Sequence, residues 1–94
     1  MPLTEEVTFK ACLQKGNRVQ VPKAVRWRFR LESNQVLRVM VCPVDVRMSW
    51  ETFYGRMDKS GRITIPKLTL SLLQNRARQQ TLTGAAMEVT LEPT

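Results

Sequence analysis

The chain has no histidine and only two cysteines, Cys12 and Cys42. Without imidazole, and with a single pair of thiols, the usual ligand sets for zinc cannot be assembled. Two cysteines also fall short of the disulfide framework of small secreted domains, although one bridge between them stays open. Glycine is scarce, at four residues, and none of it forms a Gly-rich phosphate loop of the P-loop or dinucleotide type. The eight Asp/Glu residues are scattered singly, with no pair at helical or strand spacing to divide acid and base roles. These absences argue against an enzyme and call for no cofactor. No apolar run approaches the roughly 20 residues of a membrane-spanning helix. Residues Met1-Pro2-Leu3-Thr4-Glu5-Glu6 are acidic and open no apolar stretch, so a signal peptide is not expected. The expectation is a soluble, cytoplasmic protein.

Cationic charge, by contrast, is plentiful. Fifteen Lys/Arg against eight Asp/Glu give a formal charge of +7. Residues 1–47 hold nine cations against four acids, and residues 48–94 hold six against four. Such a surface favours a polyanionic partner, nucleic acid or an anionic membrane, although solubility alone also explains it. At 94 residues with 43% hydrophobic content, the chain suits one packed domain rather than two.

The pattern within that domain is written twice. Arg18-Val19-Gln20-Val21-Pro22-Lys23 returns as Arg62-Ile63-Thr64-Ile65-Pro66-Lys67. Thr8-Phe9 returns as Thr52-Phe53, and Leu37-x-Val39-x-Val41-x-Pro43 as Met87-x-Val89-x-Leu91-x-Pro93. Two copies of one small unit predict an internal pseudo-two-fold axis and a shared core. The repeats span 7–43 and 51–93, with a connector at 44–50 in which Met48 and Trp50 are candidates to cap an open end.

Each copy reads strand, turn, strand, helix, strand. Val7, Phe9, Ala11 and Leu13 alternate with polar residues, as do Phe53, Gly55 and Met57, so one face of each strand is buried. That alternation puts Cys12 outward, and the same alternation in the third strand does so for Cys42. Lys15-Gly16-Asn17 and Lys59-Ser60-Gly61 supply turn chemistry. Pro22 and Pro66 end the second strands and suit a first helical turn. Helices are expected over 23–31 and 67–75, with Val25 and Phe29 facing the core in the first and Thr69, Leu70, Leu72 and Leu73 available in the second. Asn75 to Gln80 is either a further helical turn or a loop. Third strands are expected over Val36–Cys42 and Ala86–Glu92. The sum is a mainly β fold with two short helices, a closed six-stranded pseudo-two-fold barrel within one chain. Closure removes the edges that six open strands would expose.

The run Lys15-Gly16-Asn17-Arg18-Val19-Gln20-Val21-Pro22-Lys23-Ala24-Val25-Arg26, then Phe29, Leu31 and Val36-Leu37-Arg38-Val39, resembles the AbrB/SpoVT family of DNA-binding domains. Lys59-Ser60-Gly61-Arg62-Ile63-Thr64-Ile65-Pro66-Lys67 carries the same turn-strand-helix signature more cleanly. Single-copy members of that family exchange hairpins between two chains. Three strands per copy here look instead like the related cradle-loop barrels, RIFT or double-psi, which close within one chain. The residue pattern does not separate those two.

What the resemblance implies is a double-stranded DNA partner, as for a transcriptional regulator, and a contact surface of Lys15, Arg18, Lys23, Arg26, Lys59, Arg62 and Lys67. A monomer with internal pseudo-symmetry is expected, and a dimer remains open. Cations related by a two-fold axis reach phosphates on both sides of a groove. The structural alternative is that Arg18 and Arg62 bond loop carbonyls instead. Arg26-Trp27-Arg28 in the first helix faces Leu70-Ser71-Leu72 in the second, so only one copy keeps a basic helix. Trp27 is expected at the edge of the core, the alternative being a ring that stacks on a base or partner. The lost basic face motivates a rival reading, a non-enzymatic barrel serving as a protein-interaction or small-ligand module, with Leu70 and Leu72 as its docking patch.

Overall fold

The structure is a computed structural model, and the residues it describes are 5–44, 50–77 and 84–92. Its elements run β1 (Val7–Cys12), β2 (Arg18–Gln20), α1 (Lys23–Arg28), β3 (Val36–Pro43), β4 (Glu51–Arg56), β5 (Arg62–Thr64), α2 (Lys67–Ala77) and β6 (Ala86–Glu92). Strands β1-β6-β3-β4 form one antiparallel sheet, and β2 pairs antiparallel with β5 in a separate ribbon.

The hydrogen-bonding registers follow the sequence repeat. Met40 lies opposite Thr90 where β3 meets β6, and Val19 lies opposite Ile63 where β2 meets β5. Each is a residue facing its own counterpart in the other copy, so a pseudo-two-fold axis passes between both pairs. Phe9 opposite Val89 is likewise matched by Phe53 opposite Val39. The core is made of the same couples: Leu13 and Met57, Val19 and Ile63, Val21 and Ile65, Leu37 and Met87, Val39 and Val89, Val41 and Leu91 are all buried. Burying one such side chain is worth about 1.5–3 kcal/mol, and neither copy has a second layer of its own to bury them against. The copies therefore hold each other folded.

The six strands make two ladders, not the continuous barrel expected. β2 and β5 connect to their preceding strands through the single bridges Gln14↔Arg18 and Met57↔Ile63. Both ribbon strands are three residues long because proline follows closely, at Pro22 and Pro66, and proline has no N–H to extend a ladder.

The first helix is shorter than expected and ends at Arg28. Arg30 turns the chain at φ 52, and the Leu31 N–H donates back to the Arg26 carbonyl at 3.0 Å. Val25 and Phe29 are half-buried against the core. The second helix runs on through Asn75 to Ala77, so the first part of the polar stretch is helical. Thr69, Leu70 and Leu73 are buried, whereas Leu72 is 40% and Leu68 is 73% exposed.

Two further expectations are overturned. Cys42 is buried rather than outward, because alternation fails at the end of β3, where Val41, Cys42 and Pro43 are buried in succession. Trp27 is 72% exposed rather than at the core edge, since it lies off the face on which Val25 and Phe29 pack against the core. Trp50 is half-buried, and the expected cap at Met48 falls outside the described residues. Among the described residues no helix is long and apolar enough to cross a membrane.

Candidate nucleic-acid interface

The β2–β5 ribbon positions most of the basic residues singled out in the sequence. Val19 and Ile63 point inward and are fully buried, which turns Arg18, Gln20, Arg62 and Thr64 to the opposite, solvent side. Arg18 sits opposite Thr64, and Arg62 opposite Gln20, so the two arginines lie diagonally across the pseudo-two-fold axis.

The turns extend the pattern at each end. The Ile65 N–H donates to the Asn17 carbonyl at 2.7 Å, and the Val21 N–H donates to the Gly61 carbonyl at 2.8 Å. Each turn is thereby clamped to the chain entering the other copy's helix. One end of the ribbon gathers Lys15 and Arg18 with the α2 start at Lys67. The other gathers Lys59 and Arg62 with the α1 start at Lys23 and with Arg26. Lys15, Lys23, Lys59 and Lys67 are all exposed.

Arg26 is placed differently from the rest. A Cβ at Gly61 would stand only 2.6 Å from its Cζ and 2.7 Å from its Nε, so the guanidinium lies flat against the turn backbone. Its Nε is buried without a hydrogen-bond partner. Its counterpart in the other copy is Leu70, which is buried. Arg26 therefore occupies a packing position and presents less of its charge than the lysines do.

Sequence reasoning missed two polar residues here. Gln20 donates from Nε2 to the Ser60 carbonyl at 2.9 Å and accepts at Oε1 from Arg62 Nε at 3.3 Å. Asp58 Oδ1 accepts the N–H groups of Ser60 at 2.8 Å and Arg62 at 2.9 Å. The Arg62 N–H bond is the largest cause holding the Asp58 carboxyl below its ordinary value, with the Ser60 N–H and the charges of Arg62 and Arg18 adding to it against a smaller opposing effect of desolvation. An Asp followed by Gly and a strand was the available signal for this turn. Arg62 is thus partly tied to the fold, whereas among the described residues no such bond ties Arg18, whose guanidinium lies beside the Gly16 turn.

The opposite surface of the molecule has a different electrostatic character. On the outer face of the four-stranded sheet Lys10 lies opposite Glu88, and Arg38 opposite Glu92, with Arg38 Nη1 3.8 Å from Glu92 Oε2. Lys10 and Arg38 are thus balanced across strands, while Arg56 on the same face lies opposite Val36. Among the described residues no group of three or more His, Cys, Asp or Glu side chains converges to hold a metal.

No family model matches the chain, and no curated protein matches it either. One solved structure does: the solution structure of PHS018 from Pyrococcus horikoshii, 18% identical, with a TM-score of 0.78 over 99% of this chain and 92% of that one. That likeness is one of fold.

Proposed function

We propose that this chain is a non-enzymatic, cytoplasmic DNA-binding protein that acts as a transcriptional regulator and grips the phosphate backbone with the β2–β5 ribbon and its two turns. The observation that carries this reading is the pair of cation groups, Lys15/Arg18/Lys67 and Lys59/Arg62/Lys23, disposed about one pseudo-two-fold axis on the ribbon's outer side and the turns and helix starts that flank it. Duplex DNA has local two-fold symmetry, and symmetric cations meet phosphates on both sides of a groove. The AbrB/SpoVT-like signatures at residues 15–26 and 59–67 support the same reading. They also support reading the two ladders as a cradle-loop barrel of RIFT or double-psi type, monomeric, whose seams are carried by the isolated bridges.

The test is a fluorescence titration of labelled mixed-sequence duplex at rising salt. Affinity is expected to fall linearly on a log-log scale, and Arg18→Ala is expected to shallow the slope by about 0.9 per lost phosphate contact. Arg62→Ala should weaken binding and also lower stability, because Arg62 bonds Gln20. Absence of binding at micromolar protein in low salt would end the proposal.

A further inference from the structure

The two ends of the ribbon are alike in backbone and charge but not in what flanks them. Beside the Lys59 turn lies a cleft of about 380 Å³ lined by Arg26, Trp27, Leu31, Ser33, Asp58 and Lys59. That volume falls within the range of small-ligand sites, roughly 300–1,000 Å³. Trp27 is 72% exposed; the Lys23 ammonium stands over one face of its ring, 4.6 Å from the centroid, and Lys23 does not line the cleft that Trp27 borders. Asp58, the acid in the cleft, is an ionised carboxylate whose Oδ1 accepts the Ser60 and Arg62 N–H groups, and the cleft is net cationic because Arg26 and Lys59 outnumber it. At the other end of the ribbon the equivalent helix positions are Leu70 and Ser71, which offer neither a guanidinium nor a ring.

Resting on the DNA-binding reading above, we infer that the Trp27 cleft is a stacking site for an unpaired nucleobase, with Lys23 and Lys59 holding the phosphates that flank it. An exposed indole provides the flat apolar face that a base requires, and adjacent cations provide the backbone charge complement. A base stacked within a duplex cannot reach such a ring, so the site selects single-stranded or locally opened nucleic acid.

The experiment uses the full chain carrying Trp50→Phe, which leaves Trp27 as the sole tryptophan. A short oligothymidylate, the same oligomer paired with oligodeoxyadenylate, and an abasic single strand are titrated separately at one salt concentration. The single strand is expected to quench Trp27 emission, and the abasic strand and the duplex to quench it far less. Trp27→Ala is expected to weaken oligothymidylate binding about 5- to 100-fold, while duplex affinity changes less than about twofold. Trp27→Phe should recover part of the loss. Equal loss on single strand and duplex, or single-strand binding without quenching, overturns the stacking site and leaves the duplex reading intact. Absence of binding to every probe overturns both.

Discussion

Replacing Gly61 by alanine tests the placement of Arg26, the least expected feature of the basic surface. Gly61 has φ 81, a backbone conformation that costs a non-glycine residue roughly 1–2 kcal/mol. The new methyl would also approach Arg26 Cζ to 2.6 Å, closer than any real contact allows. The obstacle is the far end of a flexible side chain, so Arg26 swings away rather than the turn breaking. Driving it from its rotamer adds on the order of 0.5–1.5 kcal/mol. Gly84 supplies the reference, since its φ is 85 and nothing lies within 4 Å of its missing Cβ. Gly84→Ala is therefore expected to cost about 1–2 kcal/mol and Gly61→Ala about 1.5–3.5 kcal/mol. Urea unfolding at constant m reads the difference as a shift in midpoint. In an Arg26→Ala background the excess at position 61 should vanish. If Gly61→Ala costs no more than Gly84→Ala in both backgrounds, Arg26 does not lie over the turn.

Three other expectations concern the core, the turn and the thiols. Leu73→Ala should cost about 2–5 kcal/mol in denaturant unfolding, whereas Leu68→Ala should stay within about 0.5 kcal/mol; Leu73 is fully buried and Leu68 is 73% exposed, and the reverse order would mean that α2 is docked by another face. Asp58 titrates lower in the folded chain than the roughly 3.9 of an unfolded aspartate, so its contribution is complete above that value and is lost as pH falls through the lowered one. Melting temperature should consequently drop more steeply below about pH 4 in the parent chain than in Asp58→Asn, and parallel profiles would refute the turn's hydrogen bonds. Cys12 is exposed and Cys42 buried, and neither is in a disulfide, so a disulfide-exchange reagent should find one fast thiol in the native protein and two after unfolding.

The repeat made most of the core legible in advance. Apolar core positions change between the copies only for other apolar residues, as at Val19/Ile63, which face each other across the axis, and at Val39/Val89, which are buried on either side of it. Proline after a short strand likewise located both helix starts, since its effects on φ and on hydrogen bonding are local. Tertiary effects were not legible in this way. Cys42 obeys strand alternation in sequence, yet the end of β3 is enclosed on both faces. Trp27 was expected at the core edge although it lies off the Val25/Phe29 face, and that position leaves it 72% exposed. Gln20 carries no recognisable motif, and its bond to the Ser60 carbonyl exists only because the two copies meet.

Where the copies diverge follows from where the axis runs. A change at Val19 or Val41 would strike the shared core, and these positions stay apolar in both halves. Off the axis, a helix position and the opposing turn can change together without touching the other pair. Arg26 stands over Gly61, and at the equivalent places the second pair has Leu70 and Asn17. A planar guanidinium pressed to the turn must move aside for a Cβ, so arginine on the helix favours glycine in the turn. A leucine withdrawn into the core makes no such demand, and Asn17 occupies its turn at φ 63. The same freedom put Trp27 where the second helix has Ser71, outside the core and beside the Lys59 turn. Duplication thus fixed a symmetric cationic ribbon through its core, while the helix surfaces, under no such constraint, became the place where one end of the molecule was made different from the other.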